Sequence, residues 1–205
     1  MSRAILQDIT ECRDLTSLQA LLFMILFLQA TSNLSACYSY VGIALRSAMR
    51  MGLHRHLQHA QIGAFEQETR SRVFYVIRQM DIYVSTLLGF PLLLSKDDID
   101  QKYPYEVDDE FISPQGILQP IPGVSSFFAA FNAHTRLMEI LAKITKYVYP
   151  TKSQHETVGL DNGANPTYQI SYGRIKEIEA DLHEWYERLP EHWRPSAEGP
   201  LEVVR

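Results

Sequence analysis

Acidic side chains are missing from a long stretch of this 205-residue sequence: none occurs between Leu15 and Phe65, although Arg46, Arg50 and Arg55 fall inside it. Cysteine is nearly missing as well. Cys12 and Cys37 are the only two, too few for a four-cysteine zinc site or a disulfide framework. They read as buried thiols in a reducing compartment. Long apolar runs are missing too. The strongest, Ala20 to Leu28, falls well short of the ~20 residues a membrane-spanning helix needs. Asp8, Glu11 and Asp14 precede it where a signal peptide would carry basic residues. No G-x-G-x-x-G, P-loop or G-x-S-x-G pattern occurs, and Gly123-Val124-Ser125-Ser126 lacks the second glycine of the last. A net charge of −5 argues against a nucleic-acid surface spread over the whole chain.

What remains is ordinary for a globular protein: 46% hydrophobic and 21% charged residues. A single domain of this size buries about 70% of its unfolded surface. Strand-type alternation never persists, whereas helical periodicity does. The expected fold class is all-α, an irregular multi-helix bundle or array. One domain is expected over 1–205, with a core at 15–110 and C-terminal helices at 125–190.

Thr16 with Gln19 three residues on makes a capping-box pattern, which starts the first helix at about residue 17. Being apolar on nearly every side, this helix is expected at the centre of the core. A second helix over about 35–51 carries Val41, Leu45 and Ala48 on one face, and Gly52 stands where a left-handed cap belongs. A third, over about 65–88, carries Val73, Ile77, Met80 and Val84, and Gly89 with Pro91 stops it. Within it, Glu66–Arg70 and Glu68–Arg72 read as exposed acid-before-base pairs. A proline-rich connection follows, with a turn near Asp97 to Asp100. Two more helices are expected over about 126–149 and 171–188, the second with Ile175, Ile178, Leu182 and Trp185 as its apolar stripe.

Chemistry is sparse. Seven acidic residues crowd between Asp97 and Glu110. They read either as a solvated loop or as a loop folding back on the basic end of the second helix. His54, His56 and His59 form the one candidate metal cluster, with no carboxylate or cysteine nearby in sequence to complete it. Asp81 lies at the edge of an apolar face near Arg78. It is expected to pair or cap, with an effector contact as the other reading.

Several of these pieces stand in a recognisable order. Ala44-Leu45-Arg46-Ser47-Ala48 leads into Gly52-Leu53-His54-Arg55. Glu68-Thr69-Arg70-Ser71-Arg72 is followed by Phe74-Tyr75 and Asp81, then by Leu88-Gly89-Phe90-Pro91, Asp97-Asp98-Ile99 and Pro104. The stretch resembles the fungal-specific transcription factor domain, the middle homology region of binuclear zinc-cluster transcription factors. Trp185 to Pro190 is similar to a downstream element of that family. Two positions depart from the pattern: Ser71 replaces a basic residue and Phe90 replaces an arginine.

The resemblance implies a regulatory domain, not an enzyme, acting in the nucleus. Its partners would be co-regulators or other parts of the factor, with a small-molecule effector as a further expectation. Arg46, Gly52, Leu53, His54, Arg55, Glu68, Arg70, Arg72, Asp81, Gly89 and Pro91 carry the resemblance and are expected to be structural. DNA and zinc binding are implied for a six-cysteine cluster that this sequence does not contain. The chain is therefore expected to be the regulatory part alone, without sequence-specific DNA binding or membrane association. A helical interaction scaffold unrelated to transcription, and a metal-dependent enzyme built on the histidines, are the alternatives.

Overall fold

The structure, a computed structural model, describes residues 12–56, 62–113, 115–118, 126–148, 172–190 and 193–194. Among these residues the elements are α1 (Leu15–Ala30), α2 (Leu34–Arg50), α3 (Ala64–Leu88), α4 (Phe127–Val148) and α5 (Tyr172–Arg188). A two-stranded hairpin, β1 (Ile112–Ser113) with β2 (Gly116–Ile117), lies between α3 and α4. The all-α expectation holds. The helices form an array in which each packs on the next, with α3 also touching α1 and the hairpin.

α1 begins two residues earlier than expected. Asp14, not Thr16, is its N-cap: the Ser17 amide donates to Asp14 Oδ1 at 2.7 Å and the Ser17 hydroxyl donates to the same oxygen at 2.9 Å. An ionised carboxylate taking two hydrogen bonds outcompetes a neutral hydroxyl for the free amides of a first turn. Those bonds hold the Asp14 carboxyl below its ordinary range. Asn33 caps α2 and Ser126 caps α4 in the same way.

α1, α2 and α3 end alike. In each, a residue one or two past the helix end is left-handed: Ser32 at φ 58°, Gly52 at 72° and Gly89 at 68°. The next amide then reaches back five residues to a carbonyl, as Asn33 does to Leu28, Leu53 to Ala48 and Phe90 to Ser85, each at 2.9 Å. Glycine takes that conformation without steric cost; Ser32 does not.

The main core is formed by Leu18, Leu21 and Ile25 of α1, Cys37, Val41 and Ala44 of α2, and Phe74, Ile77 and Val84 of α3. Ile82 of α3 with Met138 and Ala142 of α4 form a second cluster. α1 is not the centre of the core. Phe23 and Phe27 are 73% and 65% exposed, since among the described residues α1 is packed by α2 and only lightly by α3. The central position belongs to α3, packed by α2 on one side and α4 on another. α5 has no fully buried residue among its own, and Ile175 and Leu182 of its expected apolar stripe are exposed.

Candidate functional site

After Gly89 the chain turns back and runs the length of α3, from its C-terminal end towards its N-terminal end. This segment, residues 89–113, is termed the strap. Six side chains along one side of α3, at positions 68, 71, 72, 75, 78 and 81, hold its main chain. Asp81 accepts from the Leu93 amide at 3.3 Å, and Arg78 donates to the Leu94 carbonyl at 2.7 Å. Tyr75 donates to the Gln101 carbonyl at 2.7 Å and Ser71 to the Lys102 carbonyl at 2.6 Å. Glu68 accepts from the Tyr105 amide at 3.1 Å, and Arg72 donates to the Val107 carbonyl at 3.0 Å. The side of this largely exposed segment that is turned inward must satisfy its amides and carbonyls somewhere, and here α3 takes several of them.

Charge is taken deep into this seam. Glu68, Arg78 and Asp81 are 2%, 1% and 0% exposed. Glu68 was expected on an exposed face. It is buried because it faces the strap, and Arg72 Nε pairs with it at 2.7 Å. The Arg72 guanidinium also meets Asp109 and lies 3.4 Å from the centre of the Phe128 ring on α4. Arg78 bonds Asp81 at 3.3 Å and Glu139 of α4 at 3.0 Å, tying α3, α4 and the strap at one point. Burial pushes the Asp81 carboxyl above its ordinary range; Arg78 opposes this, but that single guanidinium is shared with Glu139. Asp81 is thus both an ion-pair member and an acceptor for the strap.

The acidic loop does fold back, though not through the expected ion pairs. The Asp100 amide donates to the His54 carbonyl at 2.9 Å, and Gln101 Nε2 donates to the Leu53 carbonyl at 2.8 Å. Main chain and an amide side chain make the contact. Arg50 donates to the Cys12 carbonyl, Arg46 is exposed, and exposed Arg55 donates to the His54 ring beside the acidic loop.

The remaining expected positions are distributed along this framework. Gly52 and Gly89 are caps, Leu53 is fully buried, and Arg70 donates to the Met51 carbonyl at 2.6 Å. Exposed Pro91 follows the α3 cap. Ser71, where the family pattern has a basic residue, is buried, and its short hydroxyl fits the strap carbonyl. Phe90 packs edge-on against Tyr38 with centroids 5.0 Å apart.

His54 and His56 have separate partners and share no ligand set among the described residues. His56 Nδ1 meets Gln67 Nε2 at 2.9 Å, and the His54 ring accepts from Arg55 Nε at 3.2 Å. His59 lies outside the described residues. Burial, then the charge of Arg55, lowers the His54 pKa. No group of three or more His, Cys, Asp or Glu side chains among the described residues is placed to hold a metal ion.

One feature was not anticipated. A cleft of about 970 Å³ opens between the first residues of the strap, α4 and α5, with Arg78 and Glu139 among its walls. Its residues come from four separate segments, so no local pattern could have revealed it.

Two comparisons with known proteins place this framework. The family model described as the fungal-specific transcription factor domain matches residues 1–187. Activator of stress genes protein 1 of Candida albicans is 39% identical over 92% of this chain, and activator of stress genes 1 of Saccharomyces cerevisiae is 38% identical over 94%. Transcriptional activator protein acu-15 of Neurospora crassa is 29% identical over 92%. The chain spans about a fifth of each relative, 20%, 19% and 19% respectively. No solved structure matches it. The strap-binding residues of α3, the Gly52-Leu53-His54-Arg55 turn and a family match over most of the chain agree: the protein belongs to the fungal-specific transcription factor domain family.

Proposed function

We propose that this chain is the regulatory module of a fungal zinc-cluster transcription factor, acting in the nucleus on transcription from DNA templates. One observation carries the reading. Of the charged residues that mark the family on α3, Glu68, Arg72 and Asp81 bond to the strap and Arg70 to the Met51 carbonyl, so they build a scaffold. A DNA-reading surface would need such groups free to meet phosphates and base edges. Zinc does not fit here either: the family's cluster takes six cysteines, and this chain has two, both buried. DNA reading and metal binding are assigned to another part of such a protein.

The module biases an equilibrium between inhibited and active forms by contacting co-regulators, other parts of its own protein or a small effector. Any of these shifts the equilibrium only by binding one form better than the other. Support comes from the printed names of the relatives, which are activators, and from the deep packing of α3, which would transmit a contact across the array.

The test uses the full gene product in a fungal cell. Deleting this module should leave the protein nuclear and on its promoters while changing transcriptional output. Loss of promoter occupancy at unchanged protein abundance would overturn the reading. The purified chain should show no sequence-selective DNA binding at physiological salt, and nanomolar selective binding would overturn the separation of roles.

A further inference from the structure

The cleft between the strap, α4 and α5 has a charge character opposite to that of the chain. The protein carries a net −5, yet seven basic and four acidic side chains line the cleft. Three of the acids are already engaged: Glu139 with Arg78, Asp181 with Lys143 and Glu184 with Arg188. Lys96 and Lys146, on opposite walls, have no ion-pair partner among the described residues. Between the cationic groups the surface is apolar, with Leu92, Leu94, Ile140 and Trp185. Beneath them lies the Arg78 guanidinium, 1% exposed, with Glu139 bonded to it from the cleft side.

We propose that this cleft binds a small organic anion with an apolar body. Lys96 and Lys146 would receive the acid group, and Trp185 with the aliphatic wall would cover the remainder. The volume suits a small molecule, since ligand pockets run to roughly 300–1,000 Å³. Concavity between helices and the mix of cationic and apolar lining favour it over a flat peptide contact. The cleft borders the α3–α4 tie through Glu139, and Lys96 stands two residues from Leu94, whose carbonyl Arg78 holds. Binding is thereby coupled to the strap through Leu94 and Asp81.

The inference rests on the regulatory reading for its purpose but not for its test. Binding to the purified chain can fail while promoter behaviour stands, and the reverse. The probe is 8-anilinonaphthalene-1-sulfonate, an aromatic acid whose emission rises on binding. Trp185 lines the cleft and is one of two tryptophans in the chain. In a Trp193→Phe background, energy transfer from Trp185 reports probe bound there. Octanoate should displace the probe and octanol should not. The double variant Lys96→Gln with Lys146→Gln should weaken probe binding about ten-fold, and a charge-keeping Lys96→Arg with Lys146→Arg variant should restore it. Because neither lysine has an ion-pair partner among the described residues, the variants should fold, which far-ultraviolet circular dichroism checks. A Phe23→Ser with Phe27→Ser variant, which removes the exposed apolar face of α1, should leave the transfer unchanged. The proposal is overturned if octanol displaces the probe as well as octanoate does, or if the double lysine-to-glutamine variant binds within about two-fold of the parent. It is also overturned if Trp185 shows no transfer, or if an oligoglutamate peptide competes at lower concentration than octanoate.

Discussion

Two polar contacts in this molecule use the same chemistry in opposite surroundings. Between α3 and the strap, Glu68, Arg78 and Asp81 are buried, and each bonds both to strap main chain and to neighbouring side chains. Between α4 and α5, Lys143 bonds Glu177 and Asp181 at 2.6 Å each, and Tyr147 donates to Glu177 at 2.9 Å, all at the surface. Water can replace every partner in the second contact and none in the first. The seam therefore fixes one arrangement of the chain at high cost if broken, whereas the surface contact only biases where α5 sits. α5 forms one wall of the cleft, so the more easily shifted contact borders the proposed ligand.

The comparison can be broken at its strongest point first. Arg78→Ala leaves Asp81 and Glu139 without their shared cation, and urea unfolding should show a loss of about 3–5 kcal/mol. Glu68→Ala strips the Tyr105 amide and Arg72 of a buried acceptor. Its expected cost is about 2 kcal/mol, read by the same measurement.

Acid titration sharpens the contrast, because the two contacts should respond with opposite sign. Burial raises the Asp81 pKa from its ordinary 3.8, so its contribution is complete below that value and is lost as pH rises through the folded one. Hydrogen bonds from Lys143 and Tyr147 lower the Glu177 pKa from its ordinary 4.5. Its contribution is complete above that value and is lost as pH falls through the folded one. Urea midpoints followed from about pH 3 to pH 7 should therefore lose a decline with rising pH in Asp81→Asn, and a loss at low pH in Glu177→Gln. The smallest effect belongs to Lys143→Met. It should cost less than about 1 kcal/mol, and the difference should vanish in about 1 M salt, whereas the Arg78→Ala loss should persist.

Much of the helical framework was legible in the sequence. Periodicity located α2, α3 and α4 to within a residue or two, Gly52 announced a left-handed cap, and Gly89 with Pro91 marked the end of α3. Ser32 takes the same conformation without the glycine that would have signalled it. Asp14 was overlooked because Thr16 and Gln19 offered a competing pattern two residues on. The seam was harder to see for a different reason. Side chains of α3 announce themselves, but their partners are amides and carbonyls, which every residue carries. An i, i+4 spacing suggested that Glu68 was exposed, and only the return of the strap buries it. The centrality of α3 over the more apolar α1 likewise depends on which neighbours arrive on each side, and composition does not encode that.

Because the six bonds from α3 end on the main chain of the strap, the two sides of the seam differ in how freely they can change. On α3 the identity of each side chain matters. On the strap, almost any residue offers the same carbonyl or amide, so its exposed, unbonded side chains can be exchanged with little penalty to the seam, whereas buried Leu94, Gln101 and Val107 cannot. Only proline at position 93 or 105 would remove a donor outright. The strap can therefore be re-lettered while its path stays the same, and the part of it that lines the cleft can acquire a new ligand preference without loosening the fold beneath.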